Sequence, residues 1–378
     1  MFHPIFSKSG KRPLLSPPPI MKKQAFATAV TEQYVGPNAQ AAMVYGRYKE
    51  NGYQVNPLAA QAGGTLITEK MSASEAFKTA NADFNVVKVP SEYTTLTGER
   101  RVSDKSFTLF REDNGDEVGS GLGKGYTPVQ NSSLIRLFDY LRENVEIDNI
   151  LQMEGGRRIY VTAQVGIEGE ITEGDTIRRY LHAFNSFDGS SSFGVFFTDV
   201  RLACANQISG MIRKSKVAAG AGQGMIMRHT RNVEQFAASL PAMINMQNHT
   251  FQQRLDTLKP LTTMQLTTEH ARKVLEATYA ADLARPIRDK DSGEKRARTL
   301  HDLKHIETIR EHYSGNSGFD VERGTVWGFL QAITQFETHN AGRLKDDTAS
   351  ARARLESLWG GQGAARIHAA TDACLALV

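Results

Sequence analysis

Cysteine is scarce in this chain: 378 residues hold two, Cys204 and Cys374, far apart and outside any C-x-x-C pair. That excludes a disulfide scaffold and a four-thiolate zinc site, and it fits a reducing compartment. Long apolar runs are absent too. Gly, Gln or a charged residue interrupts every stretch well before the roughly 18 residues a membrane span needs. The first residues, MFHPIFSKSGKRPLLSPPPIMKK, place Pro and Lys where a secretory signal needs an unbroken apolar segment. The expected location is cytoplasmic, with no membrane contact.

Acid is missing in two places. Residues 1–25 carry Lys8, Lys11, Arg12, Lys22 and Lys23 and no Asp or Glu. The net charge of the whole chain is +4, so this segment accounts for all of the excess. A second acid-free stretch runs from Arg201 to Arg231 and holds Arg201, Arg213, Lys214, Lys216, Arg228 and Arg231. Clustered cations of this kind suit a polyanion such as nucleic acid. A solvated basic face would give the same pattern.

With 40% hydrophobic residues the chain has material for a sizeable core. Residues 1–70 read as a basic, Pro/Ala/Gly-rich arm with partial order. Ser72-Ala-Ser-Glu75 is a capping box that opens the body. Strand composition follows at 84–89 and 106–111. Asn131 starts a helix with Leu134, Leu137, Phe138 and Leu141 on one face. Segments 147–153 and 157–165 flank Gly155-Gly156 as a hairpin. Strands over 176–184 and 193–199 and a helix over 202–214 complete the set. The spacing predicts an α+β core over 71–231, an antiparallel β-meander closed by helices. From 232 to 378 the pattern is helical, with segments at 232–258, 267–283, 300–313, 321–345 and 348–359. Pro241 and Pro260 mark kinks or ends. The mixed-charge run 288–298 reads as an exposed loop.

Two strands share a pattern. Arg158, Tyr160, Thr162 and Gln164 alternate with Ile159, Val161, Ala163 and Val165. Arg178, Tyr180, His182 and Phe184 alternate with Ile177, Leu181 and Ala183, a face that Arg179 interrupts. Paired, the strands would mix guanidinium groups with rings, as a single-stranded nucleic-acid surface does. There rings stack on bases at about 1–3 kcal/mol each. The alternative is that Tyr180 and Phe184 pack beneath the C-terminal helices while the arginines snorkel.

Chemical motifs are weak. GSGLGKGY over 119–126 is no P-loop: Val118 stands where the first Gly belongs, and Gly125, not Ser or Thr, follows Lys124. A connector or strand edge fits better. His182, Asp188 and His229 lack metal-ligand spacing, no Ser-His-Asp set is identifiable, and neither metal nor cofactor is expected.

The segment LGKGYTPVQNSSLIRLFDYL (122–141) resembles a phage/plasmid-like family, domain of unknown function number 932. The likeness strengthens over 181–208, where Asp188, Gly189, Ser190, Arg201, Cys204 and Asn206 fill the family's pattern, followed by Arg228-His229-Thr230. Gly324-Thr-Val-Trp-Gly328, Thr334 and His339 extend it, so that it covers roughly residues 70–375. Many members carry His before Asp-Gly where this chain has Phe187. The resemblance implies a cytoplasmic role in DNA maintenance, exchange or defence of a mobile element. The strand–strand–strand–helix core is similar to single-strand annealing recombination proteins, an analogy of fold alone.

The functional expectation is a non-enzymatic protein binding single-stranded DNA, with homo-oligomers by the same analogy. Tyr160, Tyr180 and Phe184 would stack bases. Arg158, Arg178, Arg213, Lys214 and Lys216 would hold phosphates, with His182, Arg201, Arg228 and His229 alongside. Two alternatives stand: a nuclease or nucleotide-modifying site around His182, Asp188, Arg201 and His229, or a helical protein-binding module.

Overall fold

A computed structural model describes residues 62–67, 69–141, 145–201, 206–207, 224–227, 233–289, 292–315, 324–342, 346–359 and 361–378. The protein is α+β. Its main sheet is antiparallel, with order β1-β5-β6-β7-β8-β10 and β9 added against β8. The strands are β1 (Thr65–Leu66), β5 (Glu146–Met153), β6 (Arg158–Thr172), β7 (Asp175–Ser186), β8 (Phe193–Arg201), β9 (Asn206–Gln207) and β10 (Gly224–Met227). β2 (Val86–Thr94), β3 (Arg100–Arg111) and β4 (Glu117–Leu122) form a separate three-stranded sheet.

The expected hairpin is β5–β6. Gly155 and Gly156 turn it at φ of 70° and 98°, a region costly for residues with a Cβ. A Cβ on Gly156 would also meet the Phe84 ring at 2.7 Å. Strand β7 then pairs β6 from Arg158↔Ser186 to Thr172↔Asp175, and β8 pairs β7 from Phe184↔Gly194 to Ile177↔Arg201.

Alternation sorts the side chains as the sequence implies. Ile159, Val161, Ala163, Ile177, Leu181 and Ala183 are buried on one face. Three helices cover them: α1 (Ala73–Thr79), whose N-terminus is the Ser72–Glu75 capping box, α2 (Asn131–Leu141) and α3 (Val233–Leu258). Leu134, Leu137, Phe138, Phe251 and Leu255 join that apolar cluster. The opposite face carries a smaller cluster: Leu151 and Met153 under Ala351, Leu355 and Leu358 of α8 (Asp347–Leu358) and Ile367 of α9 (Gln362–Leu375).

Between α3 and α8 lie α4 (Thr268–Thr278), α5 (Ala280–Leu283), α6 (His305–Gly315) and α7 (Val326–Gln335). A single π-turn, Phe336–Asn340, continues α7.

Several boundaries differ from expectation. β9 interrupts the expected 202–214 helix, because Asn206 and Gln207 pair with Arg201 and Val200. α3, by contrast, keeps the expected bounds: it runs through Pro241, and Pro260 lies in the 3₁₀ turn that follows it. The 288–298 run folds back as a short hairpin, β11 (Ile287–Arg288) on β12 (Lys295–Arg296). Helix α9 lies within the expected helical region 232–378 but outside the segments named there. Among the described residues, no helix is long and apolar enough to cross a membrane.

Candidate functional site

The face of β6 and β7 that carries Arg158, Tyr160, His182 and Phe184 is the most chemically varied surface of the sheet. Register sets Tyr160 opposite Phe184 and Thr162 opposite His182, and Phe196 of β8 lies opposite His182. Trp359, at the end of α8, closes over them. Its ring lies 4.4 Å from Tyr160, 5.5 Å from His182 and 6.1 Å from Phe196. Tyr160, Phe184 and Trp359 are half-buried, while His182 and Phe196 are buried.

His182 is held on both sides. Nδ1 lies 3.1 Å from Thr162 Oγ1 and Nε2 lies 2.8 Å from Thr198 Oγ1. The imidazole stacks on Phe196 at 4.8 Å. Burial pushes its pKa down to about 3, so the ring is neutral at physiological pH. Its nitrogens are occupied by the protein, and it presents none to a ligand.

Arg158 sits among three carboxylates. It pairs with Glu154 and with Glu356 of α8, and Asp188 Oδ2 lies 3.9 Å from its Nε. Asp188 is also tied into its own turn, accepting from the Ser190 backbone N–H at 2.8 Å and from Ser186 Oγ at 2.7 Å. Burial would raise the Asp188 pKa, but these bonds and Arg158 outweigh it and hold the carboxyl below its usual range. Burial likewise pushes the Tyr160 phenol up to about 12.

The expected site residues therefore divide. Arg158, Tyr160, His182, Phe184 and Asp188 come together, joined by Trp359, Glu154 and Glu356. Arg178 is committed to Glu168 at 2.6 Å and to Gln164 at 3.1 Å. Tyr180 is 1% exposed between Gln164 of β6 and Thr198 of β8, so its ring is no stacking surface. Arg201 points to the other face of the sheet, fully buried against Asp175 at 2.6 Å. A platform of open rings flanked by free guanidinium groups is thus not what this face offers. The alternative of packing beneath the C-terminal helices describes it better, because α8 and Trp359 cover its centre. Arg213, Lys214, Lys216, Arg228, His229, Cys204 and Thr230 lie outside the described residues, and Asn206 is described only as strand backbone. Gly189 takes φ of 72° in the turn, and Ser190 supplies the N–H bound by Asp188.

Phe187 is fully buried and packs on Phe84, with ring centroids 6.0 Å apart. The glycine-rich stretch 119–126 lies in strand β4 as far as Leu122 and continues as a turn at Lys124 and Gly125. A Cβ at Gly119 would stand 2.2 Å from the Phe187 carbonyl oxygen.

A second polar constellation escaped the sequence reading. Glu337, on the π-turn, is 1% exposed; Tyr279 donates to it at 3.1 Å and Arg366 at 3.3 Å. Arg366 also pairs with Asp282 at 2.6 Å. Burial pushes the Glu337 pKa up despite these partners. The residues come from the junction of α4 and α5, from α5 itself, from the π-turn and from α9, so no local spacing reveals them. Among the described residues no group of His, Cys, Asp and Glu has the arrangement of a metal site.

No curated protein and no solved structure matches the chain. The family model described as "Domain of unknown function (DUF932)" matches residues 120–359, which take in β5 to β10 of the main sheet, the aromatic cluster, the π-turn and Trp359. With well over half of its length matched, the chain belongs to that family.

Proposed function

We propose that the protein binds nucleic acid, in particular single-stranded DNA, as a strand-annealing or recombination factor of a phage- or plasmid-type element. The observation that carries this reading joins sequence to topology. The acid-free stretch beginning at Arg201 leaves the sheet after β9 and returns as β10, and both strands pair with β8. The described residues on either side of 208–223, Gln207 and Gly224, both pair with β8. Cations concentrated in one acid-free stretch of sequence, with Arg213, Lys214 and Lys216, suit a phosphate backbone. Arg201 is not among them, because Asp175 already neutralises it.

The β6–β7 face takes no phosphate in this reading. Three carboxylates around one guanidinium repel the backbone, and only the half-buried rings Tyr160, Phe184 and Trp359 remain for base contact. No observation favours the enzymatic reading at His182 and Asp188: the imidazole is neutral and fully engaged, and Arg201 lies across the sheet.

The test is the Arg213→Glu, Lys214→Glu, Lys216→Glu variant, with labelled oligonucleotide binding measured across a salt series. The unaltered chain should bind at about 50 mM salt and weaken steeply as salt rises. The variant should bind at least about tenfold more weakly, with a shallower slope. Absence of binding at low salt, or equal binding by the two chains, overturns the reading.

A further inference from the structure

Strands β2 and β3 run past the body of the protein as a ribbon. No residue from Glu92 to Lys105 is buried. The ribbon is nonetheless built to its end: Thr95 donates its backbone N–H to the Glu99 carbonyl at 2.8 Å, and Gly98 turns the chain at φ of 84°. A two-stranded ribbon by itself is marginal in water, because neither face is covered. Leu96 at the tip is fully exposed, and Tyr93 and Val102 are 52% and 61% exposed.

The outer edge of β2 is closed to a further strand. Gln130 takes the Val86 backbone N–H and C=O, each at 2.9 Å, so these groups face away from β3. Alternation points Pro90 the same way, and it has no N–H to give. A partner must therefore use a face of the ribbon. Register sets Glu92 opposite Val102 and Thr94 opposite Arg100, so these four side chains share one face, while Tyr93 and Arg101 share the other. On the Tyr93 face, Arg101 is paired with Glu99 at 2.8 Å. On the Val102 face, Glu92 and Arg100 have no side-chain partner among the described residues.

Two unpaired charges of opposite sign thus stand diagonally about an exposed valine. That pattern is complementary to itself. A two-fold axis beside Val102 sets Glu92 of each copy over Arg100 of the other and brings the valines together. The ribbon as a whole is charge-balanced, with Glu92, Glu99 and Asp104 against Arg100, Arg101 and Lys105. It therefore has no net attraction for a polyanion or an anionic membrane.

We propose that the Val102 face of the β2–β3 ribbon docks a second copy of this chain through reciprocal Glu92–Arg100 ion pairs. The contact is isologous and small, so the dimer is weak and forms as concentration rises. It uses no cation of residues 208–223 and needs no nucleic acid, so it stands or falls separately from the proposed function.

The test is sedimentation equilibrium of the full chain, without oligonucleotide, over a concentration series at about 50 mM salt, where surface charges are weakly screened. The unaltered chain should pass from one copy to two. Glu92→Arg and Arg100→Glu each set like charges face to face, so each variant alone should dimerise at least about tenfold more weakly. Mixed in equal amounts, the two variants should pair as tightly as the unaltered chain, because each then meets its opposite. A folding defect would give no such rescue. Tyr93→Ser, on the other face, should dimerise as the unaltered chain does. An unaltered chain that stays single throughout the series, single variants that dimerise normally, or a mixture no tighter than its components each overturns the proposal. So does loss of the dimer in Tyr93→Ser, because the contact would then lie on the opposite face.

Discussion

Arg201 and Asp175 meet at 2.6 Å with neither side chain reaching solvent. Both come from strand ends on the α3 face of the sheet, and a similar buried pair, Arg179 and Asp199, lies beside them at 2.6 Å. A charge removed from such a pair leaves its partner uncompensated. Asp175→Ala should therefore cost about 3–5 kcal/mol in chemical denaturation. Arg201→Gln should cost a similar amount while leaving the salt slope of any oligonucleotide binding unchanged. A changed slope with unchanged stability would mean that Arg201 faces a ligand after all.

Gly119 is a steric requirement of β4. Its position against the Phe187 carbonyl leaves no room for a methyl group. Gly119→Ala should destabilise the fold by about 3 kcal/mol, because backbone must move on both sides of the contact. Gly123→Ala, with nothing within 4 Å of its Cβ position, should stay within about 0.5 kcal/mol in the same denaturation series. A phosphate-binding role for this stretch would instead show as lost nucleotide binding with unchanged stability.

His182 makes stability depend on pH. Its folded pKa of about 3 lies below the unfolded value of 6.5. The unfolded chain therefore binds the proton first as pH falls. The stability that His182 contributes is present above pH 6.5 and lost between there and about 3. The slope contributed is at most about 1.4 kcal/mol per pH unit. His182→Gln should flatten the stability curve between pH 6 and 4 relative to the unaltered chain. Parallel curves would place the proton elsewhere.

Glu337 works in the opposite sense. Its folded pKa is raised, so the carboxyl is most comfortable protonated and its favourable contribution fades as pH climbs through the folded value. Glu337→Gln mimics the protonated form. Relative to the unaltered chain, the variant should gain stability between pH 4.5 and 8. If it instead loses ground over that range, the ion pair with Arg366 outweighs burial.

Much of this architecture is legible in the residues. The alternation of Ile159, Val161, Ala163 and Val165 gives the strand and its buried face, and Gly155-Gly156 gives the turn. The i, i+3, i+4, i+7 set from Leu134 to Leu141 gives α2, and Ser72-x-x-Glu75 gives the start of α1. Alternation fails at the next step, because it shows which side chains share a face but not what covers that face. Tyr160 keeps some exposure and Tyr180 almost none, and the ring that lies over Tyr160, Trp359, comes from about 200 residues away in sequence. Arg201 misleads for the same reason: a basic residue in an acid-free stretch looks free until Asp175, 26 residues earlier, is placed opposite it. Within the helical region 232–378, α9 has no segment of its own in the sequence pattern because its small residues give little periodic contrast. The constellation at Glu337 was hidden because a π-turn shifts the phase on which helical spacing depends.

The family match stops at Trp359, yet two side chains beyond it finish the structure on either side of that tryptophan. Ile367 seals the small apolar cluster, and Arg366 is the counter-ion that Glu337 meets deep in the helices. A chain cut at the family boundary would strand an acid in a dry interior and take Ile367 from the cover over Leu151 and Met153. The working unit therefore includes the last turns of the polypeptide, and fragments for expression should keep them.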